Sequence, residues 1–174
     1  MLQDVELNSE WFPVWAVALL TGMRNGELYA LKWSDVDFSN MQITVQRSFN
    51  RRTGEMKSTK AGYWRNVPIS IDLKSILVEL KEKSNGEFVL PRLLQWRKGN
   101  QAKILKMHCK SIGIPEIKFH TLRACFATQL IGSGVEPIKV MKICGWKDLK
   151  TMAHYMRLSG IEEKGATEVL GFLS

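Results

Sequence analysis

The chain has 174 residues, 45% of them hydrophobic, which is enough to close the core of one globular domain. The 25 Lys and Arg residues exceed the 17 Asp and Glu residues by enough to give a formal net charge of +8, which suits a polyanionic partner as well as it suits a merely soluble basic protein. The cysteine count of three, with no Cys-x-x-Cys pair, argues against a disulfide framework and a zinc site, and the longest apolar run is too short to span a membrane, so a soluble cytoplasmic protein is expected.

The first predicted elements are two helices separated by a Gly-containing break. Residues 9–18 form a largely buried helix, because Trp11 and Trp15 recur at helical spacing. A second, short helix covers residues 26–31. Arg24 lies at the junction between the two helices, where a side chain can be presented to a ligand.

The next segment predicts a small antiparallel sheet of three strands. Residues 41–48 alternate apolar and polar side chains, which is the period of a half-buried strand. A hairpin turn at 51–54 leads into a return strand at 55–59. A further turn at 60–62 leads into a last strand at 63–69.

The rest of the chain is predicted to be helical. An amphipathic helix begins near Ile71, and a basic helix over residues 100–110 ends before Gly113. Four more helices follow, over residues 120–132, 136–144, 148–158 and 161–173. The fold class is therefore α+β and mainly helical, with a minor sheet and one domain over residues 1–174.

Three polar or aromatic side chains in the second half of the chain are candidates for chemistry. His120 and Arg123 start a predicted helix, and their separation of three places both side chains on one face. Tyr155 lies on a later helix, nine residues after Trp146. Taken singly these signals are weak, since a His-x-x-Arg pair is usually a surface or capping feature and a helical Tyr usually packs in a core.

Taken together, the candidate segments resemble the sequence boxes of the tyrosine recombinases, the phage integrase family. The segment TGMRNGEL at 21–28 is similar to the family's first arginine box, T-G-x-R-x-x-E-L. The segment HTLRA at 120–124 is similar to the second box, and CGW at 144–146 followed by Tyr155 resembles the segment that precedes the nucleophile. The resemblance runs from about Trp11 to Tyr155, in the family's order and spacing.

The family also carries a lysine on a turn between sheet strands. Lys60 lies eight residues before Pro68, as the family's K-x(7)-P pattern requires, and Lys57 is the less favoured alternative. Two features depart from the usual pattern. Trp146 stands where most members have histidine, and the family's N-terminal DNA-clamping domain is absent from this chain.

The resemblance implies a metal-free reaction in which DNA is cut and rejoined through a 3′-phosphotyrosyl link to Tyr155, without any cofactor. Arg24 and Arg123 would clamp the scissile phosphate, because guanidinium forks bind phosphate oxygens bidentately. The alternative for each arginine is a salt bridge to a core carboxylate. His120 would act as general base or hydrogen-bond partner of the phenol, and Lys60 as general acid for the leaving 5′-oxygen.

Two further residues are given supporting roles by the resemblance. Trp146 can donate a hydrogen bond to a phosphate oxygen or pack against Tyr155, but its indole has no acceptor and cannot shuttle a proton. Glu27 would orient groups near the phosphate without touching DNA, with a surface carboxylate as the alternative. Replacing Arg24 or Arg123 by Ala is expected to abolish cleavage and leave the fold intact, because neither would be needed for the core.

The implied function is that of the catalytic domain of a site-specific DNA recombinase or integrase, encoded by a bacterium, a phage or another mobile element and active in the bacterial cytoplasm. Double-stranded DNA is the expected partner, together with other recombinase protomers in a tetrameric synapse. A non-catalytic DNA-binding module and a type IB topoisomerase-like enzyme are the alternatives. The apolar tail at 159–174 is expected to pack either on a neighbouring protomer or on its own domain.

Overall fold

The computed structural model describes residues 10–58 and 64–160 of the chain. Eight α-helices, a 3₁₀ turn and five short strands follow in chain order within this part. They are α1 (Phe12–Thr21), α2 (Asn25–Ala30), the 3₁₀ turn (Trp33–Asp35), β1 (Val36–Asp37), β2 (Gln42–Val45), β3 (Arg47–Asn50), β4 (Glu55–Ser58), β5 (Arg65–Pro68), α3 (Ile71–Glu82), α4 (Leu94–Arg97), α5 (Gln101–Ser111), α6 (Phe119–Gly132), α7 (Pro137–Cys144) and α8 (Leu149–Leu158).

Helix α1 lies at the centre of the main hydrophobic core. Its residues 14–18 are all buried, as expected for a helix that is apolar on every side. It packs against α6 and α3. The helix ends at Gly22, whose φ of 60° is left-handed, and a Cβ atom there would overlap the ring of Phe126. Glycine is therefore required where α1 meets α6.

A small three-stranded antiparallel sheet is present as predicted, with strand order β1-β2-β5, but its members differ from those predicted. Strand β1 was not predicted, and the predicted return strand at 55–59 corresponds to β4, which lies outside this sheet. Ile43 faces Val67 and Val45 faces Arg65, so the apolar face of this sheet joins the main core. The predicted strand at 41–48 is two strands, because the chain leaves the sheet at Gln46. There the side chains of Gln46 and Arg47 bond to the buried Asp35, and β3 pairs with β4 as a separate hairpin.

A second, smaller hydrophobic cluster lies beside the main core. It forms where the C-terminal half of α6 meets α7 and α8, and its buried members are Ala127, Ile131, Val140, Cys144 and Tyr155. Helix α8 packs on α6 and α7 through this cluster, while α7 also contacts β5. The cluster therefore holds α8 against α6 and α7.

The predicted helices after the sheet agree with the structure to within one or two residues, and the first helix begins three residues later than predicted. Helix α4 was not predicted. The predicted final helix at 161–173, the tail from 161 onward and residue 9 lie outside the described residues. Within the described ranges, no helix is long and apolar enough to cross a membrane.

Candidate active site

Arg24 is the residue before α2, and a side chain in the first turn of that helix holds it in place. Its backbone has an extended conformation, and the carboxylate of Glu27 reaches back to accept its backbone N–H at 2.7 Å. The Arg24 side chain donates to Glu27 at 3.0 Å and to the Gly145 carbonyl at 3.2 Å. Glu27 is buried, whereas the Arg24 side chain is 49% exposed, so the guanidinium is anchored yet open to a ligand.

Arg123 occupies a different environment from Arg24. It is only 3% exposed, and its two terminal nitrogens donate to the carbonyls of Gly22 and Cys144. Burial lowers the pKa of Arg123 from its ordinary value. The expectation that Arg123 is not needed for the core is wrong, because its guanidinium joins the end of α1 to the end of α7. Three of its five N–H donors still lack a protein acceptor among these bonds.

Tyr155 contacts both His120 and Trp146. The Tyr155 hydroxyl lies 3.5 Å from Nε2 of His120, at the long limit for a hydrogen bond. The rings of Trp146 and Tyr155 are stacked, with centroids 4.6 Å apart and an interplanar angle of 6°. The indole therefore fixes the plane of the phenol, which corresponds to the packing alternative predicted for Trp146, and the hydroxyl points to His120.

The pKa of His120 is lowered from its ordinary value. Desolvation is the largest cause, and the nearby charges of Arg123 and Arg24 add to it. Each of these causes disfavours the imidazolium. This environment therefore favours the neutral imidazole, which is the form whose ring nitrogen can accept a proton or hydrogen bond from the phenol.

Arg65 completes this group, and sequence reasoning missed it. Its Nη1 and Nη2 donate to the two oxygens of Glu27 at 2.9 and 2.7 Å, and its Nε donates to the Ile143 carbonyl at 2.7 Å. Burial alone would raise the pKa of Glu27, but the bonds and charges of Arg65 and Arg24 hold it below its ordinary value. A signal was present, since Arg65 shares a strand face with the buried Val67.

The site residues line one open cavity of about 930 Å³. Within the described part of the chain, its lining includes five cationic side chains, those of Arg24, Arg65, Arg123, Lys142 and Lys147, and two carboxylates, those of Glu27 and Asp148. His120, Trp146 and Tyr155 also line it. A cationic hollow of this size fits a phosphodiester segment of a polyanion.

Of the predicted site residues, six line this cavity: Arg24, Glu27, His120, Arg123, Trp146 and Tyr155. Lys60 lies outside the described residues. The alternative lysine, Lys57, is exposed on β4 and is not among the described residues that line the cavity. Residues 10–58 and 64–160 contain no cluster of three or more His, Cys, Asp or Glu side chains that could hold a metal ion.

Comparison with known proteins gives a consistent set of matches. The sequence model of the phage integrase family matches residues 13–160. A protein named tyrosine recombinase XerC-like, from Caldanaerobacter subterraneus subsp. tengcongensis, is 28% identical over 188 aligned positions, covering 90% of this chain and 48% of that protein. Tyrosine recombinase XerA from Saccharolobus solfataricus is 29% identical, covering 79% of this chain and 42% of that protein.

Among solved structures, the fold is similar to that of the Tn1549 transposon integrase in a complex with circular intermediate DNA. The TM-score is 0.77 at 19% identity, and the match covers 97% of this chain and 60% of that one. This level of identity supports the fold alone. The chain spans about half the length of the curated relatives that it matches.

Proposed function

The chain belongs to the phage integrase family, the tyrosine recombinases, and from this premise we propose that it is the catalytic domain of a site-specific DNA recombinase, over residues 1–174. The single observation that carries the proposal is the convergence of two guanidiniums, an imidazole and a phenol on one cationic cavity. Arg24 comes from the junction before α2, His120 and Arg123 from α6, and Tyr155 from α8, yet all four line it. Such an arrangement suits attack on a phosphodiester.

In the proposed reaction the Tyr155 oxygen attacks the scissile phosphorus of double-stranded DNA. The phenolic proton passes to Nε2 of His120, a new P–O bond forms to tyrosine, and the bond from phosphorus to the 5′-oxygen breaks. Arg24 and Arg123 stabilise the charge that grows on the non-bridging oxygens, using the N–H donors not bonded to protein carbonyls or to Glu27. The phosphotyrosyl ester keeps the energy of the phosphodiester, so a 5′-hydroxyl can reverse the step.

The leaving 5′-oxygen needs a proton, and we assign that role to Lys60. Its ammonium would give the proton to the 5′-oxygen as the P–O bond breaks. Trp146 holds the phenol by stacking, and Glu27 holds Arg24 without touching DNA. Strand exchange requires that the attacking 5′-hydroxyl come from a second duplex, so other recombinase protomers in a tetrameric synapse belong to the same proposal, as do a cytoplasmic setting and a role in DNA integration or excision.

A covalent-capture assay tests the proposal without knowledge of the target site. The chain is incubated with a pool of nicked duplexes whose central sequence is randomised, so that cleavage releases a short fragment and traps the protein on DNA. A denaturant-resistant protein–DNA adduct is expected, with sequence enrichment among the captured duplexes. Tyr155→Phe should abolish the adduct and keep DNA affinity, because only the nucleophilic oxygen is removed.

Tyr29→Phe is the matched control, because Tyr29 is also a buried tyrosine but lies in the main core and away from the cavity. It should keep the adduct. Binding without any adduct would favour the non-catalytic module. If the protein forms the adduct and relaxes supercoiled DNA but never joins the cleaved strand to a second duplex, the topoisomerase-like alternative is favoured.

A further inference from the structure

Three consecutive carbonyls at the end of α7 each accept a hydrogen bond from a different arginine. Arg65 donates to Ile143, Arg123 donates to Cys144 and Arg24 donates to Gly145. These arginines come from β5, α6 and the entrance to α2, which are far apart in sequence. The C-terminal end of α7 therefore gathers three guanidiniums at one wall of the cavity.

The end of a helix is suited to this task. Its last carbonyls have no partner within the helix, and they form the negative end of the helix dipole, so they attract cations. Gly145 lets these carbonyls turn toward the arginines, since its φ is 65°, which is left-handed. A Cβ atom at Gly145 would lie 2.9 Å from Cδ of Arg65, so the turn also packs directly on that side chain.

We propose that Arg65 is a positioning residue for the reaction, which aligns Arg24 on the phosphate through Glu27 and fixes the α7 terminus that bears Gly145 and Trp146. This inference rests on the proposed function. All three nitrogens of the Arg65 guanidinium donate to protein atoms, and its side chain is 11% exposed, against 49% for Arg24. Three of the five Arg65 N–H groups are therefore committed to Glu27 and the α7 terminus, through which the proposal has it act.

The mechanism depends on how Glu27 shares its acceptors. One oxygen accepts from the side chains of Arg24 and Arg65, and the other accepts from the Arg24 backbone and from Arg65. Without Arg65, this buried carboxylate keeps Arg24 as its one cationic partner and draws that guanidinium into closer pairing. Arg24 then leaves the Gly145 carbonyl and turns away from the cavity.

Arg65→Gln tests the proposal, with Arg47→Gln as a matched control. Arg47 makes the same kind of forked pair, with the buried Asp35 at 2.9 and 2.8 Å, but neither Arg47 nor Asp35 lines the cavity. Both variants lose a forked ion pair, so both should lower the urea midpoint. Only Arg65→Gln should slow adduct formation at saturating DNA, by about 10²-fold, with DNA affinity changed little.

A double-mutant cycle separates positioning from a merely structural role. The cycle uses Arg24→Lys, which keeps a cation at the phosphate and so a measurable rate. If Arg65 acts through Arg24, the double variant Arg24→Lys with Arg65→Gln loses much less rate than the product of the two single losses. Fully additive losses would overturn the proposal, as would an equal effect of Arg65→Gln and Arg47→Gln on the rate. Arg65→Lys keeps the charge in case the Gln variant does not fold. It lacks the fork, so it should also be slow, and a wild-type rate would count against the proposal.

A crystal structure of Arg65→Gln, or of Arg65→Lys, gives a readout that needs no activity. The Arg24 guanidinium is expected to have left the Gly145 carbonyl, which it contacts at 3.2 Å in the parent chain. An unchanged Arg24 would overturn the positioning role. If the parent chain forms no adduct with any DNA, the recombinase proposal fails, while the structure of the variant still decides whether Arg65 aligns Arg24.

Discussion

Arg24 and Arg123 occupy equivalent boxes in the sequence but contribute differently to stability. Arg123→Ala removes the partner of two carbonyls, those of Gly22 and Cys144, and leaves a cavity at a site that is 3% exposed. We expect a loss of about 3 kcal/mol in the free energy of unfolding. Arg24→Ala should cost about 1 kcal/mol or less, because that side chain is half exposed and Glu27 keeps Arg65.

Urea unfolding of the two variants, followed by circular dichroism, measures this difference. Both variants should fail to form the covalent adduct. In Arg24→Ala the cause is the lost phosphate contact, whereas Arg123→Ala loses that contact and is also less stable. Arg123→Lys provides the control, since it keeps the charge and supplies donors to one of the carbonyls. Equal stability of Arg24→Ala and Arg123→Ala would show that the two carbonyl bonds contribute nothing to folding.

The environment of His120 predicts a pH dependence with a definite sign. Desolvation, Arg123 and Arg24 all lower its pKa in the folded chain from the ordinary value of 6.5. Below that value the unfolded chain therefore binds a proton more readily than the folded chain does. The His120 contribution to stability is fully present above pH 6.5 and decreases as the pH falls toward the lowered pKa.

Proton NMR titration of the His120 ring measures this pKa directly. The midpoint should lie below 6.5 in the parent chain and rise in Arg24→Ala, because a repelling cation is removed. Arg47→Gln should leave it unchanged, since Arg47 is not among the causes of the shift. A midpoint above 6.5 would mean that the imidazolium is stabilised in the site, and His120 would then be poorly suited to accept the phenolic proton.

At the scale of elements, the cap of α8 controls the position of the nucleophile. The Asp148 side chain accepts the backbone N–H of Thr151 at 2.8 Å, which satisfies the first turn of the helix that carries Tyr155. Ser70 caps α3 in the same way, accepting from Leu73 at 3.2 Å, but it does not line the cavity. Each cap should contribute about 1 kcal/mol to stability.

Asp148→Ala and Ser70→Ala should therefore lower the free energy of unfolding by similar amounts and affect the reaction differently. Fraying of α8 loosens the stacking of Tyr155 on Trp146, so Asp148→Ala should slow adduct formation by several-fold. Ser70→Ala should leave the rate unchanged. Paired unfolding curves and single-turnover rates measure both effects, and equal rates would show that Tyr155 is positioned by the α6–α8 contact alone.

The elements differ in how far the sequence could predict them. Helices α3 and α5 to α8 follow from periodicity and Gly breaks, because each is long enough to show a pattern. Helix α4 has four residues and carries no period. The break after Val45 depends on Asp35, which lies upstream in the chain and bonds to Gln46 and Arg47, so the local alternation cannot reveal it.

The site was predictable where it follows the family boxes and not where it depends on tertiary contacts. The six predicted residues that line the cavity all lie within those boxes. Arg65 was missed because its partners, Glu27 and Ile143, are distant in sequence, and a strand arginine is usually read as solvated. Arg65 and Val67 are two residues apart on β5, so their side chains face the same side of the strand, and Val67 is buried. Predicting the role of Arg65 required this strand register and the knowledge that its partner, Glu27, is buried.

At the scale of the whole molecule, the nucleophile belongs to the smaller of two hydrophobic clusters. Helices α7 and α8 attach to the body through that cluster and through the three arginine bonds at the α7 terminus. The main core around α1 and α3 is far larger. Units with few buried apolar contacts open at lower free energy than the whole molecule does, so α7 and α8 should exchange amide hydrogens faster than α1 and α3.

Two core substitutions separate local opening of this unit from global unfolding, with hydrogen exchange read by mass spectrometry. Val140→Ala, at a fully buried site on α7, should weaken the attachment by about 2 kcal/mol and speed exchange in α7 and α8 by roughly 30-fold. Leu77→Ala, equally buried on α3, should speed exchange in α1 and α3. It should leave α7 and α8 unchanged, because both states of the local opening keep the main core. If both variants instead sped exchange equally in all four helices, the chain would open as one cooperative unit, and the nucleophile would be held as firmly as the core itself.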